Sequence, residues 1–224
     1  MVSGKINYNS FSVIGAARSG VAAAKLLKSR GYKVFLSDSD SEKKINSDFL
    51  NEIKKKEIEY ELGGHSNKVY ENDLIVVSPG VPQNSEVIKN ALERGIDVVS
   101  EIEMASWFCK GKIVSVTGTN GKTTTTTLIG KILEDAGIKN FVCGNIGTAF
   151  SDVVGFIDEN DVAVVETSSF QLDNIKYFKP YVSVLLNVTP DHLDRYENSF
   201  DNYIQSKIRV FENQNVDDCL IYNY

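Results

Sequence analysis

Cysteine and histidine are scarce in this chain, with 3 and 2 among 224 residues. The cysteines, Cys109, Cys143 and Cys219, are odd in number and far apart. They offer neither a disulfide framework nor a Cys-x-x-Cys metal motif and read as packing residues. His65 and His192 alone exclude a His-rich metal site. No apolar run approaches the ~20 residues that span a bilayer, and the N-terminus lacks a signal-peptide core, so a cytoplasmic protein with no membrane partner is expected. Positive charge is also short. Lys and Arg total 24 against 30 Asp and Glu, a net charge of −6, which argues against a general nucleic-acid binder. The run Lys54-Lys55-Lys56 reads as a solvated helix end. The hydrophobic content of 42% suits a soluble globular protein, expected to be a monomer of two domains.

What is present begins with Val114-Ser-Val-Thr-Gly-Thr-Asn-Gly-Lys-Thr-Thr124, a strand running into a glycine-rich loop and then a helix. Gly118 and Gly121, with Thr119 and Asn120 between them, let backbone N–H groups turn toward phosphate oxygens. Lys122 supplies a mobile positive charge, Thr123 offers a hydroxyl to Mg²⁺, and Thr124 continues into the helix. The loop is a shortened form, because Val116 stands where the usual spacing wants a glycine. A glycine turn beside an exposed lysine is the plainer alternative. Thr123 to Thr127 are all threonine, mediocre helix formers, so packing or bound phosphate must help hold that turn.

The fold class expected is α/β: a Rossmann-like parallel-sheet domain over 1–100, followed by a P-loop ATPase-like α/β domain over 101–224 that is incomplete at its C-terminal end. Strands are expected at Phe11 to Ile14, Lys33 to Ser37, Leu74 to Ser78 and Asp97 to Val99, with amphipathic helices at Val21 to Lys28 and Val87 to Arg94. A short helix, Glu101 to Lys110, joins the units. The second is expected to have strands at Ile113 to Thr117, Phe141 to Cys143, Val162 to Glu166, Tyr181 to Leu186 and Cys219 to Tyr222, and a helix over Phe200 to Phe211.

Gly15-Ala-Ala-Arg-Ser-Gly20 has the placement of a dinucleotide-binding turn, and Asp38 sits near the end of the next strand, where a ribose would be read. The middle glycine is Ala17, which favours a phosphate-bearing ligand other than a nicotinamide cofactor. Ser78-Pro-Gly80 would put a hydroxyl and a free N–H at the same sheet edge, or be a simple turn. Glu166, at the end of an apolar strand, is placed to bind Mg²⁺; a rim glutamate paired with a lysine is the alternative. His192 could be a metal ligand or a satisfied structural histidine. Lys207, taken alone, reads as a solvated charge.

Together, Thr117-Gly-Thr-Asn-Gly-Lys-Thr-Thr124, Gly144-Asn-Ile-Gly147, Glu166-Thr-Ser-Ser-Phe-Gln-Leu172 and Asn187-Val-Thr-Pro-Asp-His-Leu-Asp-Arg-Tyr196 resemble the Mur ligases of peptidoglycan synthesis in wording, order and spacing. The wording is most similar to the D-glutamate-adding members, and the resemblance covers essentially the whole chain. It implies that UDP-N-acetylmuramoyl-L-alanine binds the first unit, with Arg18 and Ser19 near the diphosphate, Asp38 and Ser39 near uracil, and Ser78 and Gly80 on phosphate. Asn145 and His192 would face the sugar-peptide part. Lys122, Thr123 and Glu166 would serve ATP and Mg²⁺, of which two ions are implied. His192 and Lys207 would join the metal site, the latter as a carbamate. The implied reaction activates the alanyl carboxylate as an acyl phosphate, which the amine of D-glutamate then displaces. By the same resemblance the chain is expected to be a truncated ligase that binds but does not turn over, its D-glutamate site missing after Tyr224. Another Mur ligase, a folylpolyglutamate synthase, an NAD-dependent oxidoreductase and a non-catalytic nucleotide-binding module remain competing readings.

Overall fold

The computed structural model describes residues 7–223. Two five-stranded sheets, every pairing parallel, follow one another along the chain. The first comprises β1 (Ser10–Ile14), β2 (Lys33–Asp38), β3 (Glu59–Leu62), β4 (Leu74–Val77) and β5 (Asp97–Ser100), with helices α1 (Arg18–Ser29), α2 (Ser47–Lys55) and α3 (Glu86–Glu93) between them. Their order across the sheet, β3-β2-β1-β4-β5, is that of a Rossmann-like fold. A short helix, α4 (Glu101–Ser106), leads to the second sheet of β6 (Lys112–Thr117), β7 (Asn140–Gly144), β8 (Val162–Glu166), β9 (Val182–Leu185) and β10 (Cys219–Tyr222). Its helices are α5 (Lys122–Asp135), α6 (Phe150–Val153), α7 (Ser169–Leu172) and α8 (Phe200–Ile208), and its strand order is β10-β9-β6-β8-β7.

The strands read as apolar runs because helices cover the sheets: all four residues of β4 are buried, as are the last four of β1 and β8. We propose the division between units at residue 100, between β5 and α4; residues 1–6 and 224 of the expected spans lie outside the described residues. Four elements were absent from the sequence reading: α2, β3 and the four-residue helices α6 and α7. α2 is nine residues long and is capped by Asn46, whose side chain accepts from the Asp48 N–H, and β3 is a four-residue edge strand with an exposed or half-buried pattern. The expected helices Glu101–Lys110 and Phe200–Phe211 end early, at Ser106 and Ile208, the latter tightening into a 3₁₀ turn over Arg209–Phe211. Cys143 is buried, but Cys219 is exposed on β10, so a packing role for that thiol is corrected.

α4 ties the two sheets together. Ser100 caps it, accepting from the Glu103 N–H, while the Ser100 N–H donates to Asn174 O at 2.8 Å. The buried Glu103 carboxylate accepts from the Trp107 indole at 2.6 Å and from the backbone N–H groups of Lys176, Tyr177 and Phe178 at 2.6–3.0 Å. Glu101, also buried, accepts from the Ser151 N–H at 2.7 Å; burial pushes its carboxyl up to about 7, against the opposing pull of Ser151. One apolar cluster runs from Phe11, Leu27 and Leu36 in the first unit through Ile102 and Trp107 to Phe150, Val165 and Phe178 in the second. Replacing Glu103 by Ala strands three backbone donors and an indole N–H. At about 1–3 kcal/mol for each of these stranded groups, unfolding by urea should show a loss of at least about 4 kcal/mol. A loss under about 1 kcal/mol would mean that water replaces the carboxylate.

Candidate functional site: a nucleotide cleft joined to a phosphate loop

At the carboxyl edge of the first sheet lies a cleft of about 750 Å³ lined by Arg18, Ser19, Asp38, Ser39, Ser78, Gly80 and, from the second unit, Asn145. Its floor is the Gly15–Gly20 turn. A Cβ on Gly20 would lie 1.8 Å from Gly15 O, so a side chain there would push α1 off the turn. Ala17, by contrast, is extended (φ −91°, ψ −176°) and exposed, so the departure from the usual glycine is tolerated without strain. Asp38 shapes the same turn: one carboxylate oxygen accepts from Ala16 N–H at 2.5 Å and the other from Asp40 N–H at 2.7 Å. Ser78 is buried, and its hydroxyl donates to Gly15 O at 3.4 Å.

The phosphate loop follows β6. Gly121 stands at the N-cap of α5 with φ 84°, a left-handed conformation that favours glycine, and Gly118 precedes it at φ 154°. Asn187 holds the loop by pairing both ways with Asn120: its Oδ1 accepts from Asn120 N–H at 2.9 Å and its Nδ2 donates to Asn120 O at 3.0 Å. Thr119 Oγ1 donates to Thr189 O and accepts from Thr189 N–H, both at 3.0 Å. The threonine run does form a helix. Buried Thr126 donates its hydroxyl to Lys122 O at 2.8 Å, and Thr124 is exposed.

Cleft and loop are joined by a chain of three side chains. Asn145 Nδ2 donates to Glu166 Oε1 at 3.0 Å, and Thr123 Oγ1 donates to Glu166 Oε2 at 2.7 Å. The Asn145 N–H also donates to Glu166 O at 2.9 Å, an approach that only glycine at 144 permits, since a Cβ there would lie 2.4 Å from that oxygen. Glu166 is 2% exposed and forms no ion pair among the described residues, so it is not a rim glutamate bound to lysine. Its fixing owes much to the Ser168–Gln171 capping box that opens α7 directly after it.

Lysine chemistry concentrates beside the loop. Lys122 Nζ donates to Thr119 O at 2.7 Å. Lys207 is only 2% exposed, which overturns its reading as a solvated charge: α8 carries it inward, where Nζ donates to Gly118 O at 2.8 Å and lies 4.6 Å from the Tyr203 ring centroid. Burial pushes the Lys207 amine down to about 8, Lys122 adds to that, and Asp191 and Asp173 pull the other way. His192 lies apart in character. It is exposed, left-handed (φ 50°), 3.6 Å from Asp191 through Nε2, and edge-on to Phe170 at 5.4 Å. Among the described residues no three His, Cys, Asp or Glu side chains are grouped to hold a metal, so the structure does not gather Glu166 and His192 into a ready-made cage.

Three residues that the sequence reading named without a site role hold positions here: Asn187, His65 and Arg195. Arg195 donates to Pro79 O at 3.0 Å and Gly80 O at 3.2 Å while its guanidinium lies over Phe170 at 4.2 Å, tying the second unit to the cleft rim. Arg18 makes the reverse tie, donating to the carbonyls of Gly144, Asn145 and Gly147. The available signal for Asn187 was its place directly beyond an apolar strand; for Arg195 and His65 it was a polar residue in a loop already rich in them.

These features define a two-sheet α/β protein whose Rossmann-like cleft is linked through Asn145 and Glu166 to a glycine-rich loop of phosphate-binding form. The comparisons with known proteins are specific. The MurD N-terminal domain model matches residues 12–87 and the Mur ligase middle domain model matches residues 116–224, and the chain belongs to the Mur ligase family. It is 49% identical over 217 residues to a UDP-N-acetylmuramoylalanine--D-glutamate ligase of Salinibacter ruber, covering 95% of this chain and 46% of that protein. The protein of the same name from Chloroherpeton thalassium is 48% identical over 219 residues, with the same coverage. The chain thus spans about half the length of the curated relatives it matches. Among solved structures, the UDP-N-acetylmuramate:L-alanyl-gamma-D-glutamyl-meso-diaminopimelate ligase of Neisseria meningitides aligns with a TM-score of 0.60 at 17% identity, over 96% of this chain and 71% of that one. MurC of Thermotoga maritima aligns at 0.57 and 20% identity, over 96% and 49%. These likenesses establish the shared fold.

The buried lysine gives a pH signature. Its folded-state pKa lies below the ordinary 10.5, so between about 8 and 10.5 the unfolded chain holds a proton that the folded chain has released, and stability contributed by this group rises with pH across that window. An NMR titration of the Lys207 side chain should show a midpoint near 8, moving upward in Lys122→Ala as the neighbouring positive charge is removed. A midpoint at the free-lysine value would contradict the burial seen here.

Proposed function

We propose that the chain binds UDP-N-acetylmuramoyl-L-alanine in the cleft and ATP at the phosphate loop, as part of a ligase that adds D-glutamate. The observation that carries this reading is the Asn145–Glu166–Thr123 chain, which joins the wall of the cleft to the first turn beyond the phosphate loop through hydrogen bonds of 2.7–3.0 Å. A substrate lying along the cleft would end beside Asn145, where a phosphoryl group held by the loop is within reach.

In this reading the diphosphate sits at the start of α1, near Arg18 and Ser19, with Ser78 and Gly80 across from it; Asp38 and Ser39 bound the base. Gly118 to Thr124 cradle the ATP phosphates through backbone N–H groups and the positive end of a fourteen-residue helix. Glu166 and Thr123 supply hard oxygen donors suited to Mg²⁺, and a buried carboxylate held only by neutral donors is a fitting partner for a cation. Bound Mg²⁺ would neutralise charge on the transferred phosphoryl group. The alanyl carboxylate takes the γ-phosphoryl group, ADP leaves, and the amine of D-glutamate then attacks the acyl carbon and expels phosphate with loss of a proton. Lys122 stabilises the negative charge that accumulates at both steps. Lys207, buried and easily deprotonated, suits attack on CO₂ to give a carbamate, an oxygen ligand for a second Mg²⁺. His192, exposed beside Phe170, is the group proposed for the sugar-peptide portion.

Calorimetric titration with UDP-N-acetylmuramoyl-L-alanine, UDP and NADH tests the assignment. The sugar-peptide nucleotide is expected to bind saturably and more tightly than UDP, and Asp38→Ala to abolish binding because the Gly15–Gly20 turn loses its anchor. Lys122→Ala should weaken ATP binding at least about 10-fold while leaving affinity for the UDP compound within about 2-fold. Binding of NADH alone would favour the oxidoreductase reading.

A further inference from the structure

The helix α6 opens without a side-chain cap of its own. Its N-cap residue is Ala149, which has no polar atom to offer, and the acceptor comes from another element: Glu101, the first residue of α4, takes the Ser151 N–H at 2.7 Å. Serine, asparagine or aspartate at 149 would do this locally, without burying an acid. Glu101 is instead 1% exposed, and its second oxygen and the Ser151 hydroxyl oxygen are both buried with no hydrogen-bond partner among the described residues. Such a contact costs more than an ordinary cap. What it adds is position. α4 is also the helix from which Glu103 holds residues 176–178, so Glu101 ties the first turn of α6 to the support that already fixes the second unit.

The segment before α6 is the loop that carries Asn145. Gly144 N–H donates to Thr148 O at 2.9 Å, closing the loop, and Ala149 and Phe150 directly after it are fully buried. On one side the loop is anchored by the Asn145 bonds to Glu166; on the other it runs into the turn that Glu101 holds. α1 supports the same pieces through Arg18, on the carbonyls of Gly144, Asn145 and Gly147, and through Lys25, 3.1 Å from Asp152. Both of these cations have other calls on them. Arg18 lines the cleft, and Lys25 is shared with Glu52 at 2.6 Å. Glu101 has none: the Ser151 N–H is its one hydrogen-bond partner among the described residues.

We propose that Glu101 is a positioning residue for the sugar-peptide end of the substrate: by holding the first turn of α6 from the junction between the units, it fixes the loop that presents Asn145 to the cleft. This rests on the assignment of UDP-N-acetylmuramoyl-L-alanine to that cleft. Glu101 itself touches no ligand. The sugar-peptide part of the ligand, which meets Asn145, depends on it, whereas the UDP part, bound by residues of the first unit, does not.

The test is calorimetry of the full chain with UDP-N-acetylmuramoyl-L-alanine and with UDP, on the wild type, Glu101→Leu and Glu101→Gln. Leu keeps the bulk and removes the acceptor; Gln keeps both and removes the acid. Glu101→Leu should bind UDP within about 2-fold of wild type and lose about 5- to 10-fold in affinity for the sugar-peptide nucleotide, the value of one hydrogen bond, and Glu101→Gln should recover most of that loss. Coupling between two contacts is reciprocal, so in the wild type saturation with the sugar-peptide nucleotide should slow hydrogen exchange at the Ser151 amide at least about 5-fold more than saturation with UDP, after scaling to core amides of β1. If circular dichroism shows that Glu101→Leu does not fold, the exchange measurement decides alone. Equal losses for the two ligands in Glu101→Leu, no loss for either, a Gln variant as impaired as the Leu variant, or Ser151 exchange indifferent to which ligand is bound overturns this inference and leaves the cleft assignment standing. Failure of the wild-type chain to bind either ligand overturns the cleft assignment, and this inference with it.

Discussion

A buried carboxylate on a six-residue helix sets the relation between the two sheets. Glu103 reaches from α4 to the backbone of residues 176–178, and no other side chain in the structure accepts from three consecutive N–H groups among the described residues. Burying an acidic side chain is costly unless every lone pair is used, so this contact persists only where the second unit stands in one place relative to the first. From that placement follow the contacts that make a site: Arg18 on the Gly144–Gly147 loop, Arg195 on the carbonyls of Pro79 and Gly80, and Asn145 in the wall of a cleft otherwise built by the first sheet.

The site that results is electrostatically unbalanced in a useful direction. Lys122 and Lys207 face one loop from two helices, and their mutual repulsion contributes to the lowered affinity of Lys207 for its proton. Glu166 is the nearby countercharge, but its hydrogen bonds run to Thr123 and Asn145 and not to either lysine. A polyanion at the loop would relieve the repulsion between the lysines, and a cation beside Glu166 and Thr123 would supply the missing partner of a buried carboxylate. Phosphate with Mg²⁺ does both at once, which is the physical reason the pair suits this pocket better than either component alone.

How much of this could be read from the sequence depended on how local each determinant is. The phosphate loop, the Gly15–Gly20 turn and Glu166 are each fixed by a strand, a turn and a helix start within a dozen residues, and they were legible. The parallel α/β architecture was legible for the same reason, from apolar runs alternating with amphipathic ones. Lys207 was not: on α8 it is one more basic residue, and its burial comes from Gly118, 89 residues earlier in the chain. Only its resemblance to a family position marked it. Asn187, His65 and Arg195 act through carbonyls, hydroxyls and backbone amides supplied by distant segments, and no spacing rule encodes those partners. The helix α2 was missed because it buries only Leu50 and Ile53, α6 and α7 because each is a single turn, and β3 because, at the sheet edge with no buried residue, it lacks the apolar signal that burial imposes.

The one place where the sequence breaks a familiar rule shows why such breaks are informative. A dinucleotide-binding turn needs its middle glycine so that the backbone can approach the pyrophosphate closely. Here that residue is Ala17, unstrained, exposed and lining the cleft, while the third glycine, Gly20, is held under strict steric demand 1.8 Å from a carbonyl. The turn has therefore kept the glycine that packs the helix and given up the one that brings phosphate against the main chain. A diphosphate set back by a methyl group would depend instead on side chains at the helix start and across the cleft, and Arg18, Ser19 and Ser78 line the cleft there. On the proposed reading, the Ala17 methyl would keep a bound diphosphate from the deep main-chain contact that a nicotinamide dinucleotide requires.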